Sequence, residues 1–79
     1  MDYRDRIVRD PAVCGGEPVL KGTRVTLRTV LASLAEGATT REILDDFPSL
    51  TEDDVRATIA FAATSAEEDL PLPALPTDL

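Results

Sequence analysis

The placement of glycine and proline decides most of what this chain can become. Glycine frees the backbone to positive φ, and proline fixes φ and removes an N–H. Gly15, Gly16, Pro18 and Gly22 break up the N-terminal third, Gly37 and Pro48 divide the middle, and neither residue occurs again until Pro71. Regular structure before residue 26 must therefore be short, whereas the stretch after Pro48 can hold a helix of several turns. Val19-Leu20 and Thr23-Arg24-Val25 flank Lys21-Gly22 as two β-prone runs around a two-residue loop, which predicts a small hairpin. Pro18 at its start places that end of the hairpin at an edge. The segment Tyr3 to Val8, closed off by Asp10-Pro11, supports a short strand at most.

From Thr26 the period of the apolar residues changes. Leu27, Val30, Leu31, Leu34 and Ala35 recur at the spacing of an amphipathic helix, with Gly37 as the residue that ends it. Thr39 stands three residues before Glu42, so hydroxyl and carboxylate can each accept from a helix-start N–H, and Ile43, Leu44 and Phe47 follow on one face before Pro48. Thr51 and Asp54 repeat that start with a shorter acid. A third helix is expected over roughly 52 to 67. In it Val55, Ile59, Ala62 and Ala66 form one stripe and Ala57, Ala60, Phe61 and Thr64 another. Burying the first stripe leaves Phe61 either against the N-terminal strand or on a self-association or partner surface. Glu67-Glu68-Asp69 oppose the helix dipole, which predicts fraying there.

The expected organisation is a mainly α domain over residues 1–68 with three helices in a helix-turn-helix-like core, a short N-terminal strand and a β-hairpin. Residues 69–79 form a Pro/Leu-rich acidic tail, extended and flexible until bound, because Pro71, Pro73 and Pro76 alternate with leucines. Its Leu70, Leu72 and Leu75 read either as anchors on a protein partner, acting with Phe61, or as part of an untethered end.

Charge narrows the function. The 79 residues carry a net −7, but residues 1–28 hold six bases and four acids, whereas residues 29–79 hold two bases and eleven acids. The third helix begins Glu52-Asp53-Asp54 and carries only Arg56, so phosphate would repel the usual recognition helix. The cations Lys21, Arg24 and Arg28, on the hairpin and the first turn of helix one, are the expected nucleic-acid contacts. A β-ribbon can enter the major groove, and a homodimer would double the patch with two-fold symmetry. The bland alternative is a solvated face in which Arg24 or Arg28 pairs with acidic neighbours.

Catalysis is not expected. The chain has no His, no Trp and one Cys, Cys14, which removes most metal sites, excludes a disulfide within the chain and leaves the thiol with no obvious base. Asp45, Asp46, Asp53 and Asp54 read as solvated or helix-start charges rather than a cation site. Gly15 to Thr23 holds glycines, Lys21 and Thr23 in the wrong order for a phosphate loop. Neither a catalytic residue nor a cofactor is therefore assigned. No apolar run spans a bilayer, and Met1-Asp2-Tyr3-Arg4-Asp5-Arg6 lacks the apolar core of a signal peptide, so no membrane contact is expected and a cytoplasmic location is.

Taken in order, Asp10 to Val25 with its Gly16-Glu17-Pro18 and Gly22-Thr23-Arg24, then Glu36-Gly37, then Glu42 to Thr51 with Pro48-Ser49-Leu50-Thr51, resemble the small bacterial family called domain of unknown function 433. The resemblance covers roughly residues 5 to 65. It implies a homeodomain-like helical fold with an N-terminal β-segment. It further implies an antitoxin of a type II toxin-antitoxin pair, which neutralises a PIN-like ribonuclease toxin by direct contact and binds its own operator DNA. The alternatives are a stand-alone DNA-binding transcriptional regulator and a non-catalytic protein-interaction module that makes its contact through Phe61.

Overall fold

The structure, a computed structural model, describes residues 2–69. Among these residues the order is a 3-10 turn (Tyr3–Asp5), strand β1 (Ile7–Val8), a second 3-10 turn (Cys14–Gly16), strand β2 (Val19–Leu20), and helices α1 (Leu27–Ala35), α2 (Thr40–Asp46) and α3 (Glu52–Asp69). The result is mainly helical, with one two-stranded antiparallel sheet in which Ile7 faces Leu20 and Val8 faces Val19.

That pairing corrects the hairpin. Lys21-Gly22 does form a tight turn, with the Thr23 N–H donating to the Leu20 carbonyl at 3.0 Å and Gly22 at φ 81, but Thr23 to Val25 is not a strand. Thr23 spends its own hydroxyl on the Leu20 carbonyl at 2.7 Å, which turns the chain out of the extended direction. Only one isolated bridge, Val19 to Thr26, remains on that side. Strand β2 is consequently flanked on both sides, by β1 and by residues 25–27, and Pro18 does not mark an edge: its carbonyl accepts from Leu27 N–H at 3.1 Å. The proline sits where no ladder N–H is needed.

The helix ends follow the side-chain chemistry. The Thr26 hydroxyl accepts from Thr29 N–H at 3.2 Å to open α1. At its close Gly37, at φ 94, donates to the Leu34 carbonyl and Ala38 to that of Ser33, both at 3.0 Å, the paired bonds of a Schellman ending. The reciprocal cap of α2 forms with Thr39 and Glu42, and a Phe47–Leu50 turn carries the chain over Pro48 into α3. Helix α3 continues through Glu67-Glu68 to Asp69, past the predicted end near 67; no proline intervenes before Pro71, and glutamate is a good helix former.

The core is one cluster of Leu20, Leu27, Val30, Ile43, Leu50 and Val55, with Ile7, Val25, Leu34, Leu44 and Phe47 around it. Both strands, all three helices and the turn before α3 contribute to it. The face of α3 differs from the expected stripe: Val55, Ala57 and Thr58 are buried, and Ile59 is turned out at 47% exposure. The same rotation turns the Asp54 carboxylate inward, where it is 6% exposed and meets Arg6 at 3.2 Å. The buried Thr58 hydroxyl is satisfied by the Asp54 carbonyl at 3.0 Å within the same helix.

Candidate functional site

Three surfaces hold the residues singled out from the sequence. The first joins the two ends of the described chain. Arg6 directs Nη1 to Asp54 Oδ1 at 3.2 Å and Nη2 to Asp53 Oδ2 at 3.3 Å, while Asp54 caps Thr51 N–H with its other oxygen at 2.9 Å. The fork of one guanidinium spans two adjacent carboxylates, an arrangement that suits arginine and not lysine. Arg6 is thus a structural clamp that offsets part of the negative charge at the start of α3 from within the molecule. Sequence reasoning missed it; the only signal was complementary charge, and a partner 48 positions away carries no local signature.

The second surface is the turn between β2 and α1. Lys21 and Arg24 are both exposed, and among the described residues neither makes a salt bridge. Arg24 lines a cleft of about 380 Å³ with Asp10 and Thr23, and its carbonyl accepts from Cys14 Sγ at 3.3 Å. Arg28 is also exposed, but its Nη2 donates to Glu17 Oε2 at 2.8 Å. Of the three predicted nucleic-acid contacts, two share one turn, and the third sits on α1 and is already paired.

The third surface is an apolar groove of about 490 Å³ between α1 and α3, walled by Pro18, Leu27, Leu31, Ala35 and Phe61. Glu17 and Arg28 stand in its lining as the charged groups. Leu31 and Ala35, expected in the core stripe, belong to this wall instead: Leu31 is half-buried and Ala35 exposed. The core uses only Leu27, Val30 and Leu34 of α1, so the helix has more apolar face than the domain covers. Phe61 is partly buried and packs against the core cluster. Its ring meets Tyr3 edge-to-face at 5.6 Å, on the 3-10 turn rather than on the strand, and its remaining surface lines the groove. Leu70, Leu72 and Leu75 lie outside the described residues.

Polar chemistry elsewhere is local. Glu42 accepts from Thr39 N–H at 2.9 Å, and this bond, aided by the Thr39 hydroxyl, holds its carboxyl below the usual carboxylate range. Among the described residues no three His, Cys, Asp or Glu side chains gather to hold a metal ion, and no helix is long and apolar enough to cross a membrane.

A small helical body with a two-stranded N-terminal sheet, a cationic turn and an apolar groove defines a class of compact scaffold. Within it, the family described as "Protein of unknown function (DUF433)" matches residues 7–62, and the chain belongs to that family. A crystal structure of a DUF433 member protein from Anabaena variabilis ATCC 29413 is similar, with a TM-score of 0.72 and 31% identity over 82% of this chain and 64% of that one. The uncharacterized protein y4eO of Sinorhizobium fredii (strain NBRC 101917 / NGR234) is 36% identical over 59 residues, which are 75% of this chain and 27% of that protein. The chain therefore spans about a quarter of that relative's length.

Proposed function

We propose that this protein is a non-catalytic antitoxin that neutralises a PIN-like ribonuclease by direct contact and binds its own operator DNA. The observation that carries this reading is the pair of separate contact surfaces on one small body: a cationic turn at Lys21 and Arg24, and apolar surface at Phe61. An antitoxin that also represses its own operon uses both, one for DNA and one for protein. Phe61, with Leu70, Leu72 and Leu75 of the following segment, forms the protein contact. Lys21 and Arg24 form the DNA contact, and Arg28, bonded to Glu17, is the weakest of the three cations.

We read α2, the turn over residues 47–51 and α3 as a helix-turn-helix-like, homeodomain-like pair. Its N-terminal end does not suit base contact, because Glu52 to Asp54 are acidic and two of them are committed to Arg6. The β2–α1 turn is the better DNA surface. A cytoplasmic location follows from the same reading.

The test is to purify the tagged protein from its native host at native expression and identify any stoichiometric companion by mass spectrometry. A small ribonuclease whose activity the protein suppresses is the expected result. A bare protein that binds operator DNA tightly and with steep salt dependence would replace this reading with a stand-alone transcriptional regulator, which Lys21 and Arg24, exposed and without a salt bridge among the described residues, also favour. Binding of neither overturns both.

A further inference from the structure

We propose that the exposed face of α1 is a two-fold interface with a second copy of this chain. The inference does not depend on the operator, and it places a second copy at the Phe61 groove that the proposed function gives to the toxin, so the two compete for that surface. It starts from the row Arg28, Ala32, Glu36 on α1, successive positions four residues apart and all three exposed. Such a row is one of the ridges along which helices interlock. Its two ends carry opposite charges and its centre is a methyl group.

When two such ridges interlock in antiparallel fashion, at the crossing angle near −50° common for this packing, a two-fold axis beside Ala32 sets residue i of one copy against residue 64 − i of the other. Arg28 then meets Glu36 of the second copy, twice, and Ala32 faces its own counterpart. Alanine at the crossing allows close approach. Leu31, on the groove side of the row, enters the groove of the opposite copy beside Phe61.

This self-complementarity is what an isologous interface requires, and it selects a second copy over other occupants. A parallel pairing would set Arg28 against Arg28. Among the described residues Glu36 makes no salt bridge. Arg28 spends Nη2 on Glu17, and its side chain is 77% exposed, which leaves guanidinium donors for a second carboxylate. The apolar groove of about 490 Å³ on each copy supplies the burial that two exposed ion pairs cannot.

The full-length chain is to be examined by sedimentation velocity over a range of concentrations, with circular dichroism to verify folding. The wild type is expected at twice its 8.5 kDa chain mass. Ala32→Arg places two cations at the crossing and is expected to give a folded monomer. Arg28→Glu and Glu36→Arg, both at exposed sites, are each expected to weaken dimerisation about tenfold or more, and the double variant to return to within about threefold of wild type. The charge pair keeps the test valid if Ala32→Arg does not fold. A wild type that stays monomeric at every concentration overturns the proposal and assigns the groove to residues 70–79 or to a foreign protein. A dimer indifferent to all three single changes overturns it by placing the axis elsewhere. Failure of the double variant to recover overturns the Arg28–Glu36 register.

Discussion

Helices α2 and α3 open with the same four-residue device, and comparing them separates local from global stabilisation. Thr39 and Glu42 exchange bonds of 2.9 and 3.1 Å with each other's backbone and touch nothing distant. Thr51 and Asp54 make the same exchange at 2.9 and 3.2 Å, but Asp54 is only 6% exposed and also receives Arg6 from the N-terminal segment. Glutamate reaches back over an exposed helix start and ends there. The shorter aspartate holds its carboxylate close to the body, where a second partner can reach it. One methylene thus marks the difference between a cap that serves its own helix and a cap that joins two ends of a domain.

The sharpest way to break this comparison is Asp54→Ala. It removes the cap and leaves the Arg6 fork short of one acceptor, so a loss of about 2–3 kcal/mol is expected in urea denaturation. In a double-mutant cycle with Arg6→Met, the pair should show a coupling of about 1 kcal/mol, modest because Arg6 is partly solvated. Zero coupling would reduce the α3 start to a local cap. Thr39→Ala should cost about 1 kcal/mol in the same assay, and a loss equal to that of Asp54→Ala would erase the distinction.

The smallest effect concerns pH. Because folding lowers the Glu42 pKa, the ionised carboxylate stabilises the folded state above its unfolded pKa, and that contribution disappears as pH falls through the lower folded value. Glu42→Gln should therefore lower stability slightly at neutral pH, leave it little changed at low pH, and so flatten the acid limb of a stability-against-pH curve. An unchanged acid limb would show that the Thr39–Glu42 bonds do not persist in solution.

What the sequence made legible is the part of the fold written within four or five residues. The helix starts at Thr39 and Thr51, the Gly37 ending, the Lys21-Gly22 turn and the brevity of the first strand all follow from side chains close to the groups they serve. The partner of Val19-Leu20 was not legible, because Ile7-Val8 and Thr23 to Val25 are equally β-prone; it is Ile7-Val8 that pairs, while the Thr23 hydroxyl bonds the Leu20 carbonyl in the nearer run. The rotation of α3 was also hidden. Alanine and threonine are small enough for either environment, so a helix rich in them fits two burial patterns, and the one adopted buries Ala57 with Asp54 and turns Ile59 out. The candidate cations were legible as a group, but not that Arg6 belongs to the structure and Lys21 and Arg24 to the surface. The groove was foreshadowed in Leu31 and Ala35, which the periodicity assigned to a core too small to hold them.

The Arg6 clamp also orders events in time. Its two halves lie 48 positions apart, so on a ribosome adding 5–20 residues per second Arg6 exists for about 2–10 s before Asp54 is made. Tyr3 waits longer still for Phe61, its ring partner. During that interval β1 has only β2 to pair with, and a two-stranded ribbon alone is marginal in water. Within this body the earlier-made segment is therefore the last to be secured, and residues 2–8 stay open to a protease until α3 has emerged.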